Sequence, residues 1–122
     1  MELKRLNAIV DDLKEVLGSA LIATDSWITS DGQSLASYNS QPKATALFNE
    51  ITVNLRKSLK NADFPGLGKF YLINLDNNFI VMVVIQGELQ EGLLVDMSKT
   101  TLGILINIAL PKVQEGLAEA AK

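Results

Sequence analysis

Neither histidine nor cysteine occurs anywhere in the 122 residues. Without histidine the commonest acid–base catalyst and metal ligand is gone, which excludes serine–histidine–aspartate triads and zinc sites of the usual kind. Without cysteine there are no disulfides, thiolate nucleophiles or sulfur-held metals, although no compartment is assigned by that. Long apolar runs are missing too. The longest, Phe79 to Ile85 and Ile104 to Ile106 with its neighbours, fall well short of the roughly 18–20 residues of a membrane span. The first six residues mix charge with apolar side chains and do not read as a signal peptide, so the expectation is a soluble cytoplasmic protein. Basic charge is in deficit: eleven Lys and Arg stand against fourteen Asp and Glu, for a net charge of −3 and a pI of about 4.8. That balance argues against nucleic acid, which is gripped by clustered Lys and Arg. The one local basic group, Arg56, Lys57 and Lys60, reads as a solvated helix face.

What is present is apolar: 48% of residues are hydrophobic and 20% charged, enough for a self-sufficient core in one domain spanning residues 1–122. No repeat, linker or low-complexity segment interrupts it. Leu3, Leu6, Ile9, Val10, Leu13, Val16 and Leu17 build one helical stripe, and Gly18 is placed to end it. Ser19 to Thr24 suits a strand that Asp25 to Ile28 extends. Ser30-Asp31-Gly32 reverses the chain into a second strand from Gln33 to Tyr38, with Leu35 alternating as on an edge. Ser40 and Pro42 resemble a capped helix start. Ala44, Leu47, Phe48, Ile51, Leu55 and Leu59 then form a stripe down to about Ala62, with Val53 off it. After a break at Phe64 to Gly68, three strands follow: Lys69 to Leu75, Phe79 to Ile85, and about Glu91 to Met97. Asp76-Asn77-Asn78 and Gln86-Gly87-Glu88 turn between them, which makes neighbours antiparallel. Seven consecutive apolar residues from Phe79 mark a central strand buried on both faces. Ser98 to Thr101 can cap a last helix that is apolar nearly all round, kinked or shifted at Pro111 and helical in part beyond Gln114. The expected architecture is α+β, ordered α-β-β-α-β-β-β-α, with an antiparallel sheet carrying two helices on one face and one on the other.

Candidate chemistry is sparse. Asp11 and Asp12 diverge by about 100° on a helix and do not share an ion. Glu88 and Glu91 flank a turn and read as solvated turn charges. Asp25 and Asp31 either bracket a cation or, the better reading, form turns. Gly66-Leu67-Gly68-Lys69 lacks the spacing and hydroxyl of a phosphate loop and leads into a strand rather than a helix. Trp27 is either an exposed partner-binding anchor or a cover for the sheet edge of its own domain. The positive clue is surplus apolar surface: a helix on a sheet needs about a third of its circumference apolar, and the second and last helices exceed that. Either a last helix wedged between the first helix and the sheet absorbs part of the excess or, the better reading, self-association accounts for it.

Gly32-Gln33-Ser34-Leu35-Ala36-Ser37 and the later Leu93-Leu94-Val95-Asp96-Met97-Ser98, leading into Thr101-Leu102-Gly103, resemble the Roadblock/dynein-light-chain family in motif and order over roughly residues 3 to 117. Pro111 departs from the family pattern and bears on how the last helix packs. The resemblance implies a profilin-like sandwich with the middle helix on one face and the terminal helices on the other. It also implies dimers in which middle helices pack together and third strands join edge to edge. On that basis Leu47, Ile51, Asn54, Leu55, Ser58, Tyr71 and Ile73 are interface candidates. Relatives partner or activate small Ras-like GTPases, or serve as motor and signalling scaffolds, with no invariant catalytic residue to carry over; for this chain no metal or cofactor is expected. An activator of this kind can reshape the switch loops of the GTPase itself, and Arg5 and Arg56 are the only arginines available for a finger. The resulting expectation is a dimeric, non-catalytic scaffold or regulator of a small GTPase, without nucleic acid or a membrane span. The alternative is a small-molecule sensor of PAS-like architecture, with Asn74 and Asn107 as the available polar groups.

Overall fold

A computed structural model describes residues 2–122. Helix α1 (Leu3–Leu17) buries Leu6, Ile9, Val10, Leu13 and Leu17, the stripe its spacing foretells. Leu3 alone of that line stays outside, 55% exposed. Gly18, at φ +54°, ends the helix in a conformation that a side chain resists, and its N–H closes onto the Lys14 carbonyl. A short 3₁₀ turn, Gly18–Ala20, precedes β1 (Leu21–Ile28), so the strand starts later than its small-residue run and includes Trp27. Strand β2 (Ser34–Tyr38) returns beside it. Helix α2 (Pro42–Asn61) follows, then β3 (Phe70–Leu75), β4 (Phe79–Gln86) and β5 (Leu89–Asp96).

The five strands form one antiparallel sheet in the order β2-β1-β5-β4-β3. Strand β5 therefore takes the middle position, β4 is interior beside it, and β2 and β3 are the two edges. Alternation along β4 explains its unbroken apolar run. Met82 and Val84 join the core beneath α1 and the last helix, while Val81, Val83 and Ile85 join the smaller core that includes Phe48 of α2. Fully burying each such side chain contributes about 1.5–3 kcal/mol. The two terminal helices thus share one face and α2 occupies the other.

The third helix, α3, is composite: an opening turn Leu102–Ile104, a wide π turn Leu105–Ala109, and a regular helix Leu110–Ala120. Thr101 caps its start, the side-chain oxygen accepting from the Ile104 N–H at 3.2 Å. Pro111 has no N–H to give and its ring would press on the carbonyl four residues back. The wide turn upstream, closed by the Leu110 N–H on the Leu105 carbonyl, accommodates this without ending the helix. Leu105, Ala109, Leu110, Val113, Leu117 and Ala120 are all buried. Leu102 and Ile108, 55% and 46% exposed, carry the surplus apolar surface expected of this helix. Among the described residues no helix is long and apolar enough to cross a membrane.

Candidate interaction site on helix α2 and strand β3

Helix α2 meets the sheet through polar groups around a single large apolar side chain, Phe48. No side chain caps its first turn: Gln41 holds the cap position, Pro42 supplies the fixed φ of the first turn, and Ser40 turns away from the helix amides. The Ser40 hydroxyl instead donates to Asp25 Oδ1 at 2.9 Å. Ser34 Oγ donates to the same oxygen at 2.6 Å, and the Gln41 N–H to Asp25 Oδ2 at 3.3 Å. Asp25, a buried residue of β1, is thus a clamp on the start of α2. Of the cation bracket and the turn, neither is realised there. Asp31 does form a local turn, accepting from the Gln33 N–H at 3.0 Å.

Two further latches lie along the helix. Asn49 Oδ1 accepts from Trp27 Nε1 at 3.2 Å and from Gln90 Nε2 at 3.1 Å, while Asn49 Nδ2 donates to the Thr29 carbonyl at 3.0 Å. One turn on, Thr52 Oγ1 lies 2.7 Å from the Tyr71 hydroxyl and donates to the Phe48 carbonyl at 2.9 Å. Burial holds the Tyr71 phenol above its ordinary pKa, partly offset by that threonine bond. The only fully buried residues of α2 are Thr45 and Thr52, with Phe48 and Asn49 half-buried between them. This polar line at 45, 49 and 52 has helical spacing, as does the stronger apolar stripe that runs beside it.

The leucines consequently face outward. Leu47 is 51% exposed, Ile51 and Leu55 are half-buried, and Asn54 and Ser58 are exposed. The Thr52–Tyr71 bond brings half-buried Tyr71 of edge strand β3 to the helix, and half-buried Ile73, two residues on, shares its face of the strand. Leu75 at the end of that strand is 39% exposed. Strand β3 pairs only with β4, so its outer backbone groups have no strand partner among the described residues. The α2 and β3 interface candidates therefore lie on one side of the molecule. The basic group is partly used internally: Arg56 donates to the Gly87 carbonyl at 2.9 Å and pairs with Glu88 at 3.6 Å.

Two expectations are corrected here. Trp27 is 2% exposed, so it is no surface anchor; β1 is an interior strand, and the indole packs between the sheet and α2. Gly92 on β5 makes room for it, since a Cβ there would stand 2.9 Å from two ring carbons. Glu91 is not a solvated turn charge: β5 begins at Leu89, and Glu91 points into the core on the α1 and α3 face at 0% exposure. Removal from water pushes its carboxyl up to about 8; the Thr24 hydrogen bond opposes this and the nearby Asp25 charge adds to it. Glu88, by contrast, is solvated.

Between α2 and the sheet lies a partly open cavity of about 320 Å³. Leu47 and Leu75 are among its walls, as are Trp27 and Phe48. Asn74 and Asn107, the polar groups considered for a ligand pocket, do not line it and are exposed.

No family model matches the sequence, and no curated protein matches it. The fold nevertheless has clear counterparts among solved structures. It is a Roadblock-type fold, similar to the Roadblock/LC7 domain from Streptomyces avermitilis at TM-score 0.53 and 12% identity, over 88% of this chain and 98% of that one. Myxococcus xanthus MglB is similar over a still larger share, at TM-score 0.81 and 14% identity, covering 98% of this chain and 89% of that chain. A structure of MglB with a tetrameric arrangement aligns at TM-score 0.62 and 13% identity, over 97% and 85% of the two chains.

Proposed function

We propose that residues 1–122 act as one Roadblock-like domain, a dimeric, non-catalytic regulator or scaffold whose partner is a small Ras-like GTPase. The observation that carries the self-association is the inverted α2: its polar line faces its own sheet and its leucines face out beside an unpaired strand edge. Leu47, Ile51 and Leu55, flanked by Asn54 and Ser58, meet their counterparts on a second copy, and Tyr71 and Ile73 continue that surface on β3. An apolar helix row next to an open edge is a surface that proteins cover. The tetrameric arrangement of an MglB of the same fold is in keeping with an oligomer here.

The GTPase reading rests on the resemblance in sequence motifs together with the Roadblock-type fold. Regulation works by shaping the switch loops of the partner rather than by an inserted arginine. Arg56 is occupied with Gly87 and Glu88, and Arg5 with Glu2 at 3.3 Å. A cytoplasmic location follows from such a partner.

Light scattering at micromolar concentration tests the assembly: the wild type is expected as a dimer and the Leu47→Asp, Leu55→Asp double variant as a folded monomer. A monomeric wild type ends the proposal. Capture from native lysate followed by a GTP-hydrolysis assay then separates an activator, which accelerates turnover, from an adaptor, which binds without doing so. Recovery of no GTPase at all refutes the partner.

A further inference from the structure

We propose that the cavity beneath the first turns of α2 is a binding site for a small, uncharged, mainly apolar molecule. The void exists because small residues face small residues. Ala23 and Gly92 form the sheet side and Ala44 and Thr45 the helix side, with Trp27 and Phe48 bounding the space. Helix α2 is not free to settle into the gap. Its start is tied to Asp25, and its middle to Trp27 and Gln90 through Asn49 and to Tyr71 through Thr52. Gly92 stays small because Trp27 occupies the place of its Cβ.

Volume and chemistry then select the ligand. A dry apolar cavity of roughly 150 Å³ suffices for benzene, and this one is about 320 Å³. At about 30 Å³ per water-sized unit, that is room for about ten non-hydrogen atoms. Asp25 is the sole charged residue in the wall, and its carboxylate is turned to Ser34, Ser40 and the Gln41 amide. An ionic head group therefore finds no counter-ion inside, whereas a hydrocarbon body meets two aromatic rings and aliphatic walls. The site goes beyond the scaffold reading and does not depend on it: a monomer has the same cavity.

The chain has a single tryptophan, and it stands in the cavity wall, so its emission reports occupancy directly. Titration of the purified protein with 1-octanol is expected to give a saturable change in Trp27 emission. Methyl NMR shifts should be confined to Val81, Leu94, Leu47 and Leu75 around the cavity. Ala44→Phe, which fills the space from the helix side, is expected to weaken octanol binding by about tenfold or more. Should that variant fail to fold, the methyl map on the wild type still decides. A non-saturable response, shifts at Ile51 and Leu55, which do not line the cavity, or undiminished binding by folded Ala44→Phe would each overturn the proposal. So would loss of the response as the protein dimerises, since that assigns the space to a second copy.

Discussion

Replacing Glu91 by glutamine should raise the stability of the protein at alkaline pH and leave it nearly unchanged in acid. The carboxyl is wholly buried, with Oε2 2.5 Å from Thr24 Oγ1, which in turn lies 2.8 Å from the Gly92 carbonyl. A hydroxyl has one hydrogen. If Thr24 donates to Gly92, the short contact to Glu91 needs a proton from the acid, and a neutral carboxyl supplies it. Glu91 Oε1 is buried without a partner, which an ion would tolerate far less than a neutral acid. In the unfolded chain the group titrates near 4.5 and in the folded protein near 8. Between those values the native state keeps a proton that the unfolded state has released. Stability is therefore fully present below about pH 4.5, falls as pH rises toward 8, and levels off above it. The slope is about 1.4 kcal/mol per pH unit, which over that window integrates to about 5 kcal/mol. Glutamine can donate its amide to Thr24 at every pH and has no such slope. Urea unfolding followed by Trp27 emission and far-UV circular dichroism, at fixed protein concentration and at pH 5, 6.5 and 8, measures the difference. A gap between variant and wild type that widens by several kcal/mol from pH 5 to 8 is expected, or about 4 °C in Tm per kcal/mol. Parallel pH profiles would show that Glu91 is already ionised in the fold and refute the reasoning.

Gly92→Ala should destabilise by about 1–3 kcal/mol and shift the tryptophan emission, because the added methyl displaces a buried indole; an unchanged spectrum and midpoint would contradict the close approach. Asn49→Ala leaves Trp27 Nε1 and one of the two Gln90 Nε2 hydrogens without an acceptor, the other staying on Thr29 Oγ1, at about 1–3 kcal/mol for each unsatisfied donor. Hydrogen exchange should then quicken along α2 before it does in α1, and uniform protection would count against the latch. Gly116→Ala gains helix propensity but drives a methyl into Ile9 of α1, so a net loss in Tm is expected despite a propensity gain of about 1 kcal/mol. A rise in Tm would mean that the two terminal helices separate easily.

The arrangement of elements was largely legible, since stripes at helical spacing and turn-forming clusters mark it directly. The α1 stripe, the Asn-rich β3–β4 turn and the Thr101 cap all appear where their chemistry places them. Less legible was which face of an element turns inward. On α2 part of the apolar stripe, Leu47 with Ile51 and Leu55, turns outward while Phe48 packs inward, because Asn49 and Thr52 bind the polar line to the sheet and Ser40 ties the start of the helix to Asp25. Hydrophobic patterning assumes the reverse. Glu91 was misplaced by two residues of strand boundary, enough to move it from a turn to an inward position of β5. The strand through Trp27 is legible, but neither that β1 is interior nor that α2 covers the indole can be read from any local pattern. Of the candidate interface residues, those on α2 and β3 do gather on one side, and it is a long-range contact, Thr52 with Tyr71, that gathers them.

The wide turn ahead of Pro111 resets the angular phase of the last helix. Leu105 and Leu110 sit five positions apart yet both point inward, a spacing that an unbroken 3.6-residue coil would splay by about 140°. A sequence threaded onto an uninterrupted version of this helix must therefore drop one residue between Ile104 and Leu110 to keep both leucines in the core. Comparisons that align the segment without a gap will assign inward and outward roles wrongly on one side of it.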